Sequence, residues 1–249
     1  MAAIHGRYTK LWVDEFDLSS QNNSLDMSIA VDGLDGTAFQ DTGAVTYAGI
    51  PTGKIAQKGY FTGKANGMNE DVLYDRFGTA TSTVAALFGT ATTGCPAYVS
   101  RTTGTEKMMI ATTPNALMMI DGDWVNGGGI IRGLRMWEGT FSATGAQTSP
   151  GYIDVGAVGS AGGYAYLFVQ TITGSATNAT ITVESDDNTS FTSAATEGTF
   201  TFSAVGVQTM TLSATIDRYV RLNCTSKGGA TSFVVGAIIC VSGVTYAVT

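Results

Sequence analysis

Threonine and glycine together set what this chain can become. Of its 249 residues, 37 are Thr and 32 are Gly. Thr is β-branched and loses side-chain freedom in a helix, while Gly loses backbone freedom there, so a helical bundle suits this composition poorly. Thr fits a pleated strand and Gly fits a tight turn. The glycines follow no Gly-X-Y period, which excludes collagen. Apolar residues make up 44% and the net charge is only −7, so the chain has enough apolar side chains to build a core. No apolar run approaches the roughly 18 residues that a membrane-spanning helix needs. The expectation is a mainly β protein, long enough for one large domain or two small ones.

The hydrophobic pattern places the strands. In 25–32, Leu25, Met27, Ile29 and Val31 alternate with Asp26, Ser28, Ala30 and Asp32, which predicts a strand with one core face and one polar face. Residues 8–13 read as its partner, joined to it by a polar connection. Residues 36–53 look like a hairpin or arm, with Phe39, Tyr47, Ile50 and Pro51 as its large groups. Another strand is expected over 54–63. The best helix signal follows, 70–77, with Asn69 as N-cap and Glu70 and Asp71 in the first turn, where the helix dipole favours acids. Further strands are expected near 83–88, 97–101, 107–112, 116–120 and 132–141. Asp121-Gly122-Asp123 and Gly127-Gly128-Gly129 read as turns between them.

Residues 142–163 are small, polar and Gly-rich, and mark the expected boundary between domains at 1–150 and 151–249. After it, short strands near 164–172, 180–185, 199–203, 208–213, 218–224 and 232–241 are separated by turn clusters, the pattern of a β-sandwich of immunoglobulin-like or jelly-roll-like type.

Chemistry-bearing residues are sparse. The one histidine, His5, has no Gly-X-Ser-X-Gly companion for a hydrolytic triad. The Gly-rich runs lack the Gly-Lys-Ser/Thr ending of a phosphate loop. Asp121 with Asp123, and Asp186-Asp187-Asn188, have the oxygens for calcium, but the same residues make ordinary turns. No catalytic residue, metal or cofactor is expected. Cys95, Cys224 and Cys240 have no metal-site spacing, and the last two sit in apolar alternating runs that read as buried free thiols. Met1-Ala2-Ala3-Ile4-His5-Gly6-Arg7 lacks the apolar core of a secretory signal, so a cytoplasmic origin, or export without Sec, is expected. Residues 1–150 hold 14 acids and 10 bases, and 151–249 hold 6 and 3, so neither part carries the basic footprint of a nucleic-acid binder. The composition suits a structural or binding protein.

The order of short segments adds to this. Thr37-Ala38-Phe39-Gln40-Asp41 is followed by Tyr47-Ala48-Gly49-Ile50-Pro51, then Lys58-Gly59-Tyr60-Phe61-Thr62-Gly63, then the helix opened by Asn69-Glu70-Asp71. This order resembles the tail-tube (major tail) proteins of long-tailed, non-contractile bacteriophages, the siphophages, with Gln40 and Ala38 departing from the family's usual Gly and Thr. The match covers 4–90 well and 97–145 loosely. The resemblance implies two packed β-sheets flanked by one short helix, with a C-terminal outward-facing β-sandwich. It implies homohexameric rings stacked into a tube, with double-stranded DNA passing through the lumen without specific binding. Tail terminator, tape-measure and baseplate or tip proteins would be the partners, and the virion tail, assembled in the host cytoplasm, the location. It assigns Phe39, Gln40, Tyr47, Ile50 and Pro51 to an inter-subunit arm. Asp26, Ser28 and Asp32, opposite the apolar side of their strand, become candidates for the lumen wall. The segments 185–191 and 216–221 resemble appended domains of phage virion proteins. A sandwich module that binds glycans or decorates a capsid is the alternative.

Overall fold

A computed structural model describes residues 8–35, 46–63, 67–79, 81–89, 94–126, 129–156, 162–212 and 215–241. The protein is mainly β, with antiparallel sheets and a single α-helix among the described residues. The chain forms two compact units. One joins Ser20–Val84 to Ser100–Ile130, and the other joins Met1–Ser19, Ala85–Val99 and Ile131–Thr249.

The first unit is built on the strands β3 (Asn22–Asp35), β4 (Thr46–Tyr60), β7 (Met119–Asn126) and the C-terminal part of β6 (Pro96–Ala111), in the order β3-β4-β7-β6. Helix α1 (Asn69–Asp75) covers one face. Strict alternation puts Ile55, Gln57 and Gly59 of β4 and Ile120, Gly122 and Trp124 of β7 on that face, and all are buried. Leu73 and Val72 of α1 close over them.

Four expectations change here. Residues 8–13 do not partner β3, because they form part of the other unit; β3 pairs with β4 in antiparallel register. Asp121-Gly122-Asp123 is no turn but the middle of β7, because Gly122 leaves room for Leu73 and the two aspartates point to the opposite face. The strands expected at 97–101 and 107–112 are one continuous strand, β6. Asn69 is the first helical residue rather than the cap. Met68 holds the cap position without a side-chain bond, and the Asn69 N–H is satisfied by Gln21 Oε1 at 2.8 Å. The Asn69 side chain is instead buried in a polar chain. Trp124 Nε1 donates to Gln57 Oε1 (2.9 Å), Gln57 Nε2 donates to Asn69 Oδ1 (3.1 Å), and Asn69 Nδ2 donates to Asn22 Oδ1 (3.2 Å). Buried polar groups persist where such a chain satisfies them.

The second unit contains a β-sandwich. The strands β8 (Ile130–Phe141), β16 (Ser232–Val241), β11 (Gly163–Thr173) and β14 (Gly206–Leu212) form one layer, ordered β14-β11-β16-β8. A five-stranded sheet forms the other, ordered β10-β15-β12-β13, from Ile153–Asp154, Tyr219–Ser226, Ala179–Asp186 and Ala195–Phe202, with β9 (Gly145–Ala146) also on β15. The shared core includes Trp137 and Phe141 of β8, Leu167 and Val169 of β11, Ile181 and Val183 of β12, and Val220 and Leu222 of β15. The first layer continues through the N-terminal part of β6, the end of β5 (Ser82–Leu87), β1 (Lys10–Val13) and β2 (Phe16–Asp17). It curls on itself, because Trp12 of β1 and Phe168 of β11 are remote in strand order yet their rings lie 5.3 Å apart. That curl encloses a second core with Leu87, Val99 and Ile238.

The expected boundary near 150 follows composition, whereas the compact units follow contacts. β8, β9 and β10, spanning 130–154, lie with the C-terminal strands, and Trp137 packs in their shared core.

Candidate functional site

The outer face of the β3-β4-β7-β6 sheet collects most of what the first unit has to offer a partner. Residues opposite one another in register share a face, so Asp26, Ser28 and Ala30 of β3 lie beside Ala56, Lys54 and Thr52 of β4. Asp123 and Asp121 of β7 follow next to Ala56 and Lys58, and Lys107 of β6 lies opposite Asp123. Asp26 and Ser28 are exposed, as the polar half of the alternation predicts. Asp32 continues the strand, and only its backbone is described.

Acids and bases are interleaved on this face. Lys54 Nζ lies 2.7 Å from Asp123 Oδ2, and Lys58 Nζ lies 3.7 Å from Asp121 Oδ2. The hydrogen bond from Lys54 to Asp123 holds the Lys54 ammonium above its ordinary pKa, against an opposing effect of burial; the charges of Asp123 and Glu106 add to it. The carboxylates expected either to turn the chain or to hold calcium are therefore engaged with lysines across the sheet. Sequence reasoning missed Lys54, Lys58, Asp121 and Asp123 as one constellation. Its only signal was the i, i+2 and i, i+4 spacing that a strand reading of both segments would have exposed.

The sheet edge is the second feature. β3 runs for 14 residues and pairs only with β4 among the described residues. β7 ends at Asn126, opposite Gly53, so β3 and β4 continue past it as a two-stranded ribbon. Along β3 the expected core face is only partly covered: Leu25 and Met27 are half-buried, but Ile29, opposite Gly53 where β7 ends, and Val31, beyond that point, are 52% and 49% exposed. Alternation predicts a buried row, and on this edge strand the far half of the row is exposed. Tyr47, Ile50 and Pro51 of the expected arm fall within β4, where Tyr47 pairs with Leu34 and Pro51 with Val31. Phe39 and Gln40 lie outside the described residues.

A third cluster lies on the outer face of the five-stranded sheet. Arg218 grips Asp154 through Nε and Nη2 at 2.7–3.1 Å and stands over the Tyr219 ring, which meets Tyr152 edge-on at 5.4 Å. The hydrogen bond from Arg218 holds the Asp154 carboxyl below the usual carboxylate range. Next to it, Arg221 Nε and Asn223 Nδ2 both donate to Glu184, and Phe191 covers the Arg221 guanidinium at 4.1 Å. Asp186 is spent on its own loop, accepting the N–H groups of Asn188 (2.9 Å) and Ser193 (3.0 Å). Among the described residues no group of three or more His, Cys, Asp or Glu is placed to hold a metal ion. All three cysteines are buried free thiols.

No family model matches the chain, and no curated protein matches it. Among solved structures it is similar to a chain in the virion of a native gene transfer agent particle (TM-score 0.40, 13% identity), over 51% of this chain and 97% of that one. It is also similar to the SPP1 Dit protein, described as a paradigm of the hub adsorption apparatus in phages infecting Gram-positive hosts (TM-score 0.33, 9% identity), over 93% of this chain and 98% of that one. A chain of the anti-feeding prophage baseplate matches at a TM-score of 0.34 and 7% identity, over 50% of this chain and 89% of that one. Likeness at these scores carries no argument about what this chain does.

Proposed function

We propose that this chain is a structural virion protein of a siphophage tail, assembling as stacked hexameric rings into the tube through which DNA passes. The observation that carries the reading is the β3 edge, which pairs with β4 alone among the described residues. A 14-residue edge strand with exposed Ile29 and Val31 is a template for pairing, and soluble proteins blunt or cover such edges. In a closed ring the edge of each copy meets a different surface of the next copy, so every edge is covered and growth within the ring stops when it closes. In this reading 36–53 is the inter-subunit arm, with Phe39, Gln40, Tyr47, Ile50 and Pro51 in contact with a neighbour. Asp26, Ser28 and Asp32 belong to the lumen wall, and the C-terminal sandwich faces outward. Tail terminator, tape-measure and baseplate or tip proteins would meet the ends of the tube. Negative-stain microscopy of the concentrated full-length protein tests the reading: rings or tubes are expected, and a monomer at every concentration would sink it.

The second reading, a sandwich module that binds glycans, is favoured by the Tyr152–Tyr219–Arg218–Asp154 cluster. An aromatic surface beside a planar ion pair offers a sugar ring both an apolar face and hydrogen-bonding groups. Saturable binding on a glycan array, lost on Tyr152→Ala, would favour it over the tube.

A further inference from the structure

We propose that Asp121 and Asp123 neutralise Lys54 and Lys58 on the outer face of the β3-β4-β7-β6 sheet, so that a lysine-bearing surface does not retain nucleic-acid phosphates. The inference rests on the tube reading, in which this face lines the path of DNA. It changes the physical picture of that wall. A surface of Asp26, Ser28 and Asp32 alone would work by repulsion. The face actually carries Lys54, Lys58 and Lys107 as well, and these would bind phosphate if left free. Lys54 and Lys58 are four residues apart on one strand, about 13 Å, which lets both reach the phosphates of a single duplex segment.

Three observations point to neutralisation rather than to fold stability. The lysine side chains are 42% and 52% exposed, and ion pairs with exposed partners contribute little to stability. The aspartates are the less exposed partners, at 16% and 22%, so the acids are fixed in the sheet and the flexible lysines are drawn down onto them. Asp121 also carries a cost: its Oδ1 is buried with no hydrogen-bond partner. A carboxylate left half-satisfied is a poor choice for stability alone, and its remaining oxygen faces Lys58. Asp123 lies between Lys54 on one neighbouring strand and Lys107 on the other, so removing one acid exposes positive charge on both sides.

The test compares binding of a fluorescent duplex of about 30 base pairs to full-length protein at low salt, where phosphate contacts are strongest. Asp121→Asn with Asp123→Asn should bind about tenfold more tightly than the parent, with a log–log salt dependence steeper by about 2. Adding Lys54→Gln and Lys58→Gln should abolish the gain. A matched control, Glu70→Gln with Asp75→Asn on α1, which packs on the opposite face of the sheet, makes the same change in net charge. The inference is overturned if the double variant shows no gain, if the gain survives loss of the two lysines, or if the control gains equally. Tube formation by the same proteins is scored separately, so failure of the tube reading is visible without altering the affinity comparison.

Discussion

A Cβ built on Gly122 would lie 2.4 Å from Cδ2 of Leu73, so helix α1 rests directly on the backbone of β7. No side chain larger than hydrogen fits between them while Leu73 stays fully buried. Gly122→Ala should therefore cost about 1–3 kcal/mol by overpacking. Leu73→Ala, in the same contact, should cost about 2–5 kcal/mol. Combining the two should cost less than the sum, because the smaller side chain makes room for the new methyl. Denaturant unfolding of the three variants checks this, and strict additivity would contradict the contact.

The polar chain Trp124–Gln57–Asn69–Asn22 should be unforgiving of partial removal. Asn69→Ala leaves the buried Gln57 Nε2 without its acceptor, and should destabilise by about 2 kcal/mol. Asp71→Asn, elsewhere on the helix, provides the comparison for a general effect on α1. Equal losses from both would show that the buried amide contributes nothing of its own.

Ile29 and Val31 separate assembly from folding. Both are about half exposed, so replacing both with Lys should change unfolding free energy by no more than about 0.5 kcal/mol per site. Assembly should be lost, because lysines on an edge strand discourage pairing. A variant that still forms tubes would remove this part of the edge from the interface.

The thiols report burial directly. Desolvation pushes the Cys95 thiol up despite the nearby Arg135 guanidinium, and burial pushes Cys224 up as well. Thiolate is the reactive form, so a disulfide reagent at mild alkaline pH should label none of the three cysteines rapidly in the native protein and all three after unfolding. Fast native labelling would show that the structure around one of these thiols opens.

Asp154 should titrate below the ordinary aspartate range, and Arg218→Ala should raise it towards that range. Because its folded pKa is depressed, whatever stability the pair contributes is present above the unfolded value and is lost as pH falls through the lowered one. Carbon-detected titration of the carboxyl resonances reads this. An Asp154 midpoint unchanged by the substitution would show that Arg218 is not its partner in solution.

Local physical preference made much of the fold legible. Period-two alternation locates the strand beginning near Leu25, regularly spaced turn clusters mark off most strands after 164, and the acids at 70 and 71 mark the one α-helix of the described residues. Thr and Gly content gave the class, because both residues disfavour helices for local reasons. Asp121-Gly122-Asp123 was misread because the same residues suit a turn in isolation; only the helix lying over Gly122 and the lysines across the sheet make them strand.

What the sequence determined by itself is therefore local: strand character, turn chemistry, the short helix and the low, slightly acidic charge. Tertiary structure alone decided which faces are covered. Ile29 alternates as faithfully as Ile55, yet Ile55 is 1% exposed and Ile29 is 52% exposed, because Ile55 lies on β4 between β3 and β7, whereas Ile29 lies on β3, which pairs only with β4 among the described residues. It also decided where the charges meet. Lys54 and Asp123 are 69 positions apart, and only antiparallel register brings them to 2.7 Å. Alternation is a property of one strand, whereas burial and ion pairing belong to its neighbours, which lie too far along the chain for local pattern to see.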